Sequence, residues 1–126
     1  MDLSLVFVAV VAGFVGWKMS ARRRSPQQLE AIQQALDAGG VLVDVRTPRE
    51  FSTGHLPGAR NIPVAGIGAA ASELKAADRP VILYCASGAR AGMAARTLQA
   101  AGVRPVLNLG TFGAGRSLRF RTPPAD

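Results

Sequence analysis

The chain has one cysteine, one histidine, one tyrosine and one tryptophan among its 126 residues. A single cysteine excludes any disulfide within the chain. With a single histidine, no grouping of His, Cys and Asp has metal-ligand spacing, so neither a metal nor another cofactor is implied. Aromatic residues make up 6% of the chain, too few to build the stacking platforms that single-stranded nucleic acids need. Acidic residues are also scarce: 8 stand against 15 lysines and arginines, for a net charge of +7. Much of that excess lies in one cluster and the rest is scattered arginine. No basic stripe is interleaved with aromatics, which argues against a nucleic-acid partner. No internal repeat is visible.

Charge is missing most conspicuously from the N-terminal segment. From Leu3 to Trp17 no residue is ionisable. Taken as a helix to Ala21, past Lys18 whose stem can snorkel, the segment reaches roughly 28 Å, close to the hydrocarbon thickness of a bilayer. Residues 1–21 are therefore expected to form a transmembrane helix, with Trp17 at the interface. Cleavage as a signal peptide fits less well, because Asp2 replaces a basic start and Met19 occupies the small-residue position before Ala21. A buried core helix is the other alternative, because the uncharged run is short, whereas an interfacial helix would need a polar face that is absent here. Lys18, Arg22, Arg23 and Arg24 follow directly. The positive-inside rule predicts an N-terminus outside and the rest of the chain in the cytoplasm, and the cluster suits anionic headgroups. A reducing cytoplasm also suits one unpaired thiol.

The remainder has room for one small domain, expected over residues 25–115, with residues 116–126 as a tail whose last residues are expected to be disordered. Ser25-Pro26-Gln27-Gln28 carries a cap, a first-turn proline and a glutamine three residues after the cap, and so predicts a helix running to Ala38, stopped by Gly39-Gly40. Val41–Val45 reads as a strand, and Thr47-Pro48-Arg49-Glu50 opens a short helix that carries Phe51 inward. Asn61–Val64 is expected to be a strand, Ile67–Ala77 a helix, Val81–Cys85 a strand, Ala91–Ala101 a helix and Val106–Leu109 a last strand closed by Gly110. A short helical turn is expected near Arg116–Phe120. Regular alternation of helix and strand predicts an α/β fold, a doubly wound and mostly parallel sheet flanked by helices.

Cys85 stands where an apolar strand ends, a loop of small residues curls and a helix begins. Backbone N–H groups and the positive end of a helix dipole converge at such a point and stabilise negative charge. Thiolate is the reactive form of cysteine. A lone cysteine in a small domain is more often an inert buried hydrophobe, but a structural cysteine needs no Gly88, no bulk-free Ala86 and Ala89, and no Arg90. A guanidinium presents a rigid fork to an oxyanion, so Arg90 is expected to face an anion rather than only tie the loop to its neighbours. Asp44 and Arg46 lie at the end of the first strand, where open α/β sheets build their sites. Either they support the Cys85 pocket or they belong to a structural network in which Arg46 pairs with Glu50. His55, in a turn, is read as a packing and hydrogen-bonding residue rather than a base.

Three motifs occur together: Leu42-Val43-Asp44-Val45-Arg46 with Glu50-Phe51, then Gly54-His55-Leu56-Pro57-Gly58-Ala59-Arg60-Asn61-Ile62-Pro63, then Cys85-Ala86-Ser87-Gly88-Ala89-Arg90. In order and spacing they resemble the rhodanese (sulfurtransferase) domain, from about Ser25 to Leu109. The resemblance implies a rhodanese-like fold and sulfur transfer, with Cys85 as the nucleophile that becomes a persulfide. It further implies that the backbone N–H groups of Ala86, Ser87, Gly88, Ala89 and Arg90 bind the substrate. The implied partners are a small sulfur donor, thiosulfate-like or a persulfide, and a thiol or cyanide acceptor. Arg90 favours thiosulfate-like donors, whereas Ala86 is neutral where thiosulfate-type loops often carry a base. Related phosphatases have a loop one residue longer, so four residues between Cys85 and Arg90 argue for sulfur over phosphate. The second reading is a membrane-tethered rhodanese-like binding module with little turnover. Related domains also place a tryptophan after the last strand, and here Phe112 is the nearest substitute.

Overall fold

The computed structural model describes residues 23–121. The apolar segment expected to span a membrane lies outside them, as does the chain end expected to be disordered. Among the described residues, no helix is long and apolar enough to cross a membrane.

Helix α1 spans Pro26–Asp37 and starts as its sequence dictates. Gln28 N donates to Ser25 Oγ at 3.1 Å while Ser25 N donates to Gln28 Oε1 at 2.8 Å, so two orphan amides are satisfied reciprocally. After Gly39, at φ +88°, the chain passes so close to the helix that a Cβ on Gly40 would lie 2.6 Å from Ala35 O. Strand β1 (Val41–Asp44) follows, then α2 (Pro48–Ser52), β2 (Arg60–Asn61), a 3-10 turn at Val64–Gly66 and α3 (Ile67–Ala77). The chain continues through β3 (Val81–Cys85), α4 (Ala89–Ala100), β4 (Val106–Thr111) and a 3-10 helix at Phe112–Ser117. The four strands lie in the order β2-β1-β3-β4, and all pair in parallel.

All five residues of β3 are buried because this strand is central and covered on both faces. Side-chain alternation sorts them. Val81, Leu83 and Cys85 join Val43 and the apolar faces of α3 and α4, including Leu74, Ala94 and Leu98. Ile82 and Tyr84 join Leu42, Leu109, Ile32 of α1, Leu56 and Leu118 on the other face. The doubly wound reading is therefore realised, with Cys85 on the α3/α4 side.

Several boundaries differ from expectation. The strand expected at Asn61–Val64 stops at Asn61, because Pro63 has no N–H for a ladder and heads the 3-10 turn instead. The last strand runs on to Thr111: Gly110 takes φ +92°, and a bulge opposite Leu83/Tyr84 brings Thr111 into register with Cys85. Helix α4 begins at Ala89, immediately after the loop. The expected turn at Arg116–Phe120 forms earlier, over Phe112–Ser117, where Thr111 Oγ1 accepts from Ala114 N at 3.1 Å. The tail also starts later than residue 116. Leu118 is buried in the second core cluster and Phe120 packs against it. Gln33 holds this stretch by its backbone, donating from Nε2 to Arg119 O at 3.0 Å and accepting from Arg119 N at 2.8 Å.

Candidate active site

The centre of the site is the junction of β3, the loop 86–88 and α4. Cys85 is fully buried at the end of the strand, beneath a loop whose Ala86 and Ser87 are exposed. Gly88 adopts φ +100°, a conformation that glycine reaches without the Cβ penalty. That turn aims its N–H back at the thiol, with Gly88 N 2.9 Å from Cys85 Sγ. Gly88 is also the N-cap of the 12-residue α4 and has no side chain to satisfy the helix's first amides. The sulfur thus receives a backbone donor at the positive end of a helix. Of the loop amides expected to bind substrate, Gly88 is the one with a hydrogen bond to sulfur. Ala86, Ser87 and Ala89 form the exposed covering.

Arg90, in the first turn of α4, reaches across to α2. Its Nη1 donates to Glu50 Oε1 at 2.7 Å and its Nη2 to Glu50 Oε2 at 3.0 Å, a two-pronged ion pair between half-buried partners. This corrects two expectations. The fork expected to face an anion is occupied by a carboxylate, and Glu50 pairs with Arg90 rather than with Arg46. The physical reason is that Glu50 is held at the start of α2, accepting from Thr47 N at 3.1 Å, with its free face toward the loop. Arg90, foremost, and then Thr47 hold the Glu50 carboxyl down at about 2. The Arg90 guanidinium is raised in turn, chiefly by Glu50, with smaller contributions from Cys85 and Asp44 close by.

Arg46 turns inward to Asp44. Its Nη2 lies 2.7 Å from Asp44 Oδ2, and its Nε contacts both carboxylate oxygens at 3.1 and 3.0 Å. Asp44 is wholly buried and Arg46 is 6% exposed. The same guanidinium donates to Gly54 O at 2.6 Å and lies 4.7 Å from the centre of the Phe112 ring. The pair therefore braces the end of β1, the turn at Gly54 and the 3-10 helix at once. Phe112 stacks near Tyr84, with ring centres 6.1 Å apart, and so covers this corner where a tryptophan was missed. Burial, foremost, pushes the Tyr84 hydroxyl up to about 12, and its oxygen accepts from Leu56 N at 3.0 Å.

His55 fits the packing role: its ring stacks on Phe51 at 3.8 Å, and Nδ1 lies 3.0 Å from Phe51 O. No group of three or more potential metal ligands occurs among the described residues. Sequence reasoning missed the Glu50–Arg90 contact. Each half had a signal, a capping box and a loop arginine, but the two are 40 residues apart and nothing local joins them.

The parallel sheet flanked by helices and the cysteine loop at the end of its central strand define the class. Residues 25–111 match the model of the rhodanese-like domain, and the chain belongs to that family. Thiosulfate sulfurtransferase GlpE of Stutzerimonas stutzeri is 33% identical over 107 residues, covering 83% of this chain and 90% of that protein. Protein YqhL of Bacillus subtilis is 46% identical over 68 residues, 54% of this chain and 53% of its own, so the chain spans about half the length of that relative. Among solved structures, the human single-domain sulfurtransferase TSTD1 superposes with a TM-score of 0.54 at 28% identity, covering 71% of this chain and 89% of that one.

Proposed function

We propose that this protein is a sulfurtransferase that works through a persulfide on Cys85. The thiolate attacks the outer sulfur of a donor, either thiosulfate or a persulfide. The donor's S–S bond breaks and its electron pair leaves with sulfite or a thiolate. The Cys85 persulfide then gives its outer sulfur to an acceptor thiolate or to cyanide, and the Cys85 thiolate returns. Splitting the transfer in this way is the logic of covalent catalysis. The observation that carries the reading is the Gly88 N–H at 2.9 Å from Sγ, at the head of α4. It provides a fixed donor at Sγ, where the attacking thiolate carries its charge. The thiol has no exposed surface, so a donor reaches it only when the loop 86–88 shifts. Small side chains at Ala86 and Ser87 keep that shift inexpensive. The lone cysteine leaves the loaded sulfur to an external acceptor, since none in the chain can resolve it.

The full burial of Cys85 also favours the second reading, a binding module with little turnover. Intact mass after incubation with thiosulfate or a small persulfide separates the two. The enzyme gains one sulfur, and Cys85→Ala gains none. A wild type that gains no sulfur from any donor leaves the module.

The reading includes attachment to a membrane through residues 1–21, with the domain on the cytoplasmic side. Its support is the uncharged run from Leu3 to Trp17 and the basic cluster after it.

A further inference from the structure

We propose that Glu50 selects the sulfur donor: by occupying the fork of Arg90 it withholds that charge from an incoming anion and turns the enzyme toward persulfides and away from thiosulfate. This rests on the sulfurtransferase reading above.

Arg90 stands near Cys85 and Arg46 near the end of the neighbouring strand β1, and each has its own carboxylate. Arg46 is matched by Asp44 and Arg90 by Glu50, both through paired contacts of 2.7 to 3.1 Å. Ala86 adds no charge to the loop. What the loop itself then offers an anion is the Gly88 N–H and the head of α4, equivalent to about half a positive charge; Arg24 lies beyond it, over Gly110, with its Nε on Asn108 O.

The two donors place different demands on that site. Thiosulfate brings a charge of two to a thiolate of one, and the transfer is Cys85–S⁻ + S–SO₃²⁻ → Cys85–S–S⁻ + SO₃²⁻. Three negative charges then share a site where the head of α4 offsets only about half of one. A persulfide reacts as Cys85–S⁻ + R–S–SH → Cys85–S–SH + R–S⁻. The S–S bond of the donor breaks, the proton stays on the transferred sulfur, and for this protonated, electrophilic form of the donor one negative charge is present throughout. A sulfonate would also need the fork of Arg90, which Glu50 holds. Glu50 does not touch the reacting sulfur and acts as a positioning residue through Arg90.

Glu50→Gln tests this. Glutamine keeps the capping acceptor that Thr47 N uses but gives up the charge. The probes are thiosulfate and 2-hydroxyethyl persulfide, which has no other ionisable group, and the readout is the second-order rate of sulfur gain on Cys85 by intact mass. Loading from thiosulfate is expected to rise about five- to tenfold in Glu50→Gln, as expected for one uncovered charge a few ångströms from a dianion. Loading from the persulfide is expected to change less than twofold. In Glu50→Gln/Arg90→Gln the gain with thiosulfate disappears. Excess sulfate is expected to slow thiosulfate loading in Glu50→Gln and not in wild type. Equal change with both donors, or an unchanged thiosulfate rate in a folded variant, overturns the proposal. If Glu50→Gln does not fold, the wild-type sulfate arm decides, and strong protection by sulfate overturns it. Sulfur gain from neither donor in wild type refutes the sulfurtransferase reading itself, a separate outcome.

Discussion

At the residue scale, the charged side chains at and beyond the ends of β1 and β3 work as matched pairs. Asp44 is the clearest case, a carboxylate with no exposure whose partner Arg46 is 6% exposed. Taking two charges out of water is costly, and their attraction offsets that cost only if both remain. Asp44→Asn removes one charge, leaves the Arg46 guanidinium buried against Phe112 and Gly54 O, and is expected to cost about 3 kcal/mol of stability. The shift in denaturant midpoint at unchanged slope measures it. A fall of only a few tenths would show that solvent reaches Arg46 in solution. This pair was legible in part. Residue types and spacing placed Asp44 and Arg46 at the end of β1, yet their choice of each other was not, since Glu50 stood at an equally plausible distance along the chain.

At the scale of elements, the Glu50–Arg90 bridge joins α2 to α4, two helices that share no strand boundary. Local sequence builds each helix start: Thr47 caps α2, and Gly88 turns the chain into α4. Only the sheet, by laying β1 beside β3, brings the two starts together. The bridge has a pH signature. The Glu50 carboxyl is lowered from 4.5 to about 2 in the folded protein, so in that window the unfolded chain takes up a proton that the folded one refuses. Its contribution is present above pH 4.5 and is lost as pH falls toward about 2. Wild type should therefore lose stability more steeply on acidification through this window than Glu50→Gln, which has no proton to bind. Glu73, also lowered, by Arg60, is common to both proteins and cancels in the comparison. Denaturant midpoints across the window, with parallel slopes for the two proteins, would show that the bridge does not persist in solution.

At the scale of the whole molecule, the cysteine loop and Arg24, near the start of the described residues, lie close together. Arg24 donates from Nε to Asn108 O of β4 at 2.6 Å, and its guanidinium lies over Gly110, where a Cβ would approach Nη2 to 3.2 Å. Gly110 in turn sits against Gly88 of the loop. A chain anchored through residues 1–21 would hold the loop side of the domain near the membrane surface. Full-length protein is expected to float with lipid vesicles, whereas a variant lacking residues 2–21 stays in the soluble fraction. Flotation of both, or of neither, would remove the anchor from the reading.

The amino-acid sequence by itself determined the order of elements, the α/β class and the place of Cys85. These rest on local physics: capping boxes at Ser25 and Thr47, apolar runs of strand length, and glycines where the backbone must turn. Tertiary structure alone decided which charge meets which, how far β4 extends beyond Gly110, and that Leu118 and Phe120 belong to the core. Those outcomes depend on residues distant in the chain. Arg90 has one fork, and once the parallel sheet sets Glu50 opposite it, the carboxylate that is always present takes the place expected for a passing anion.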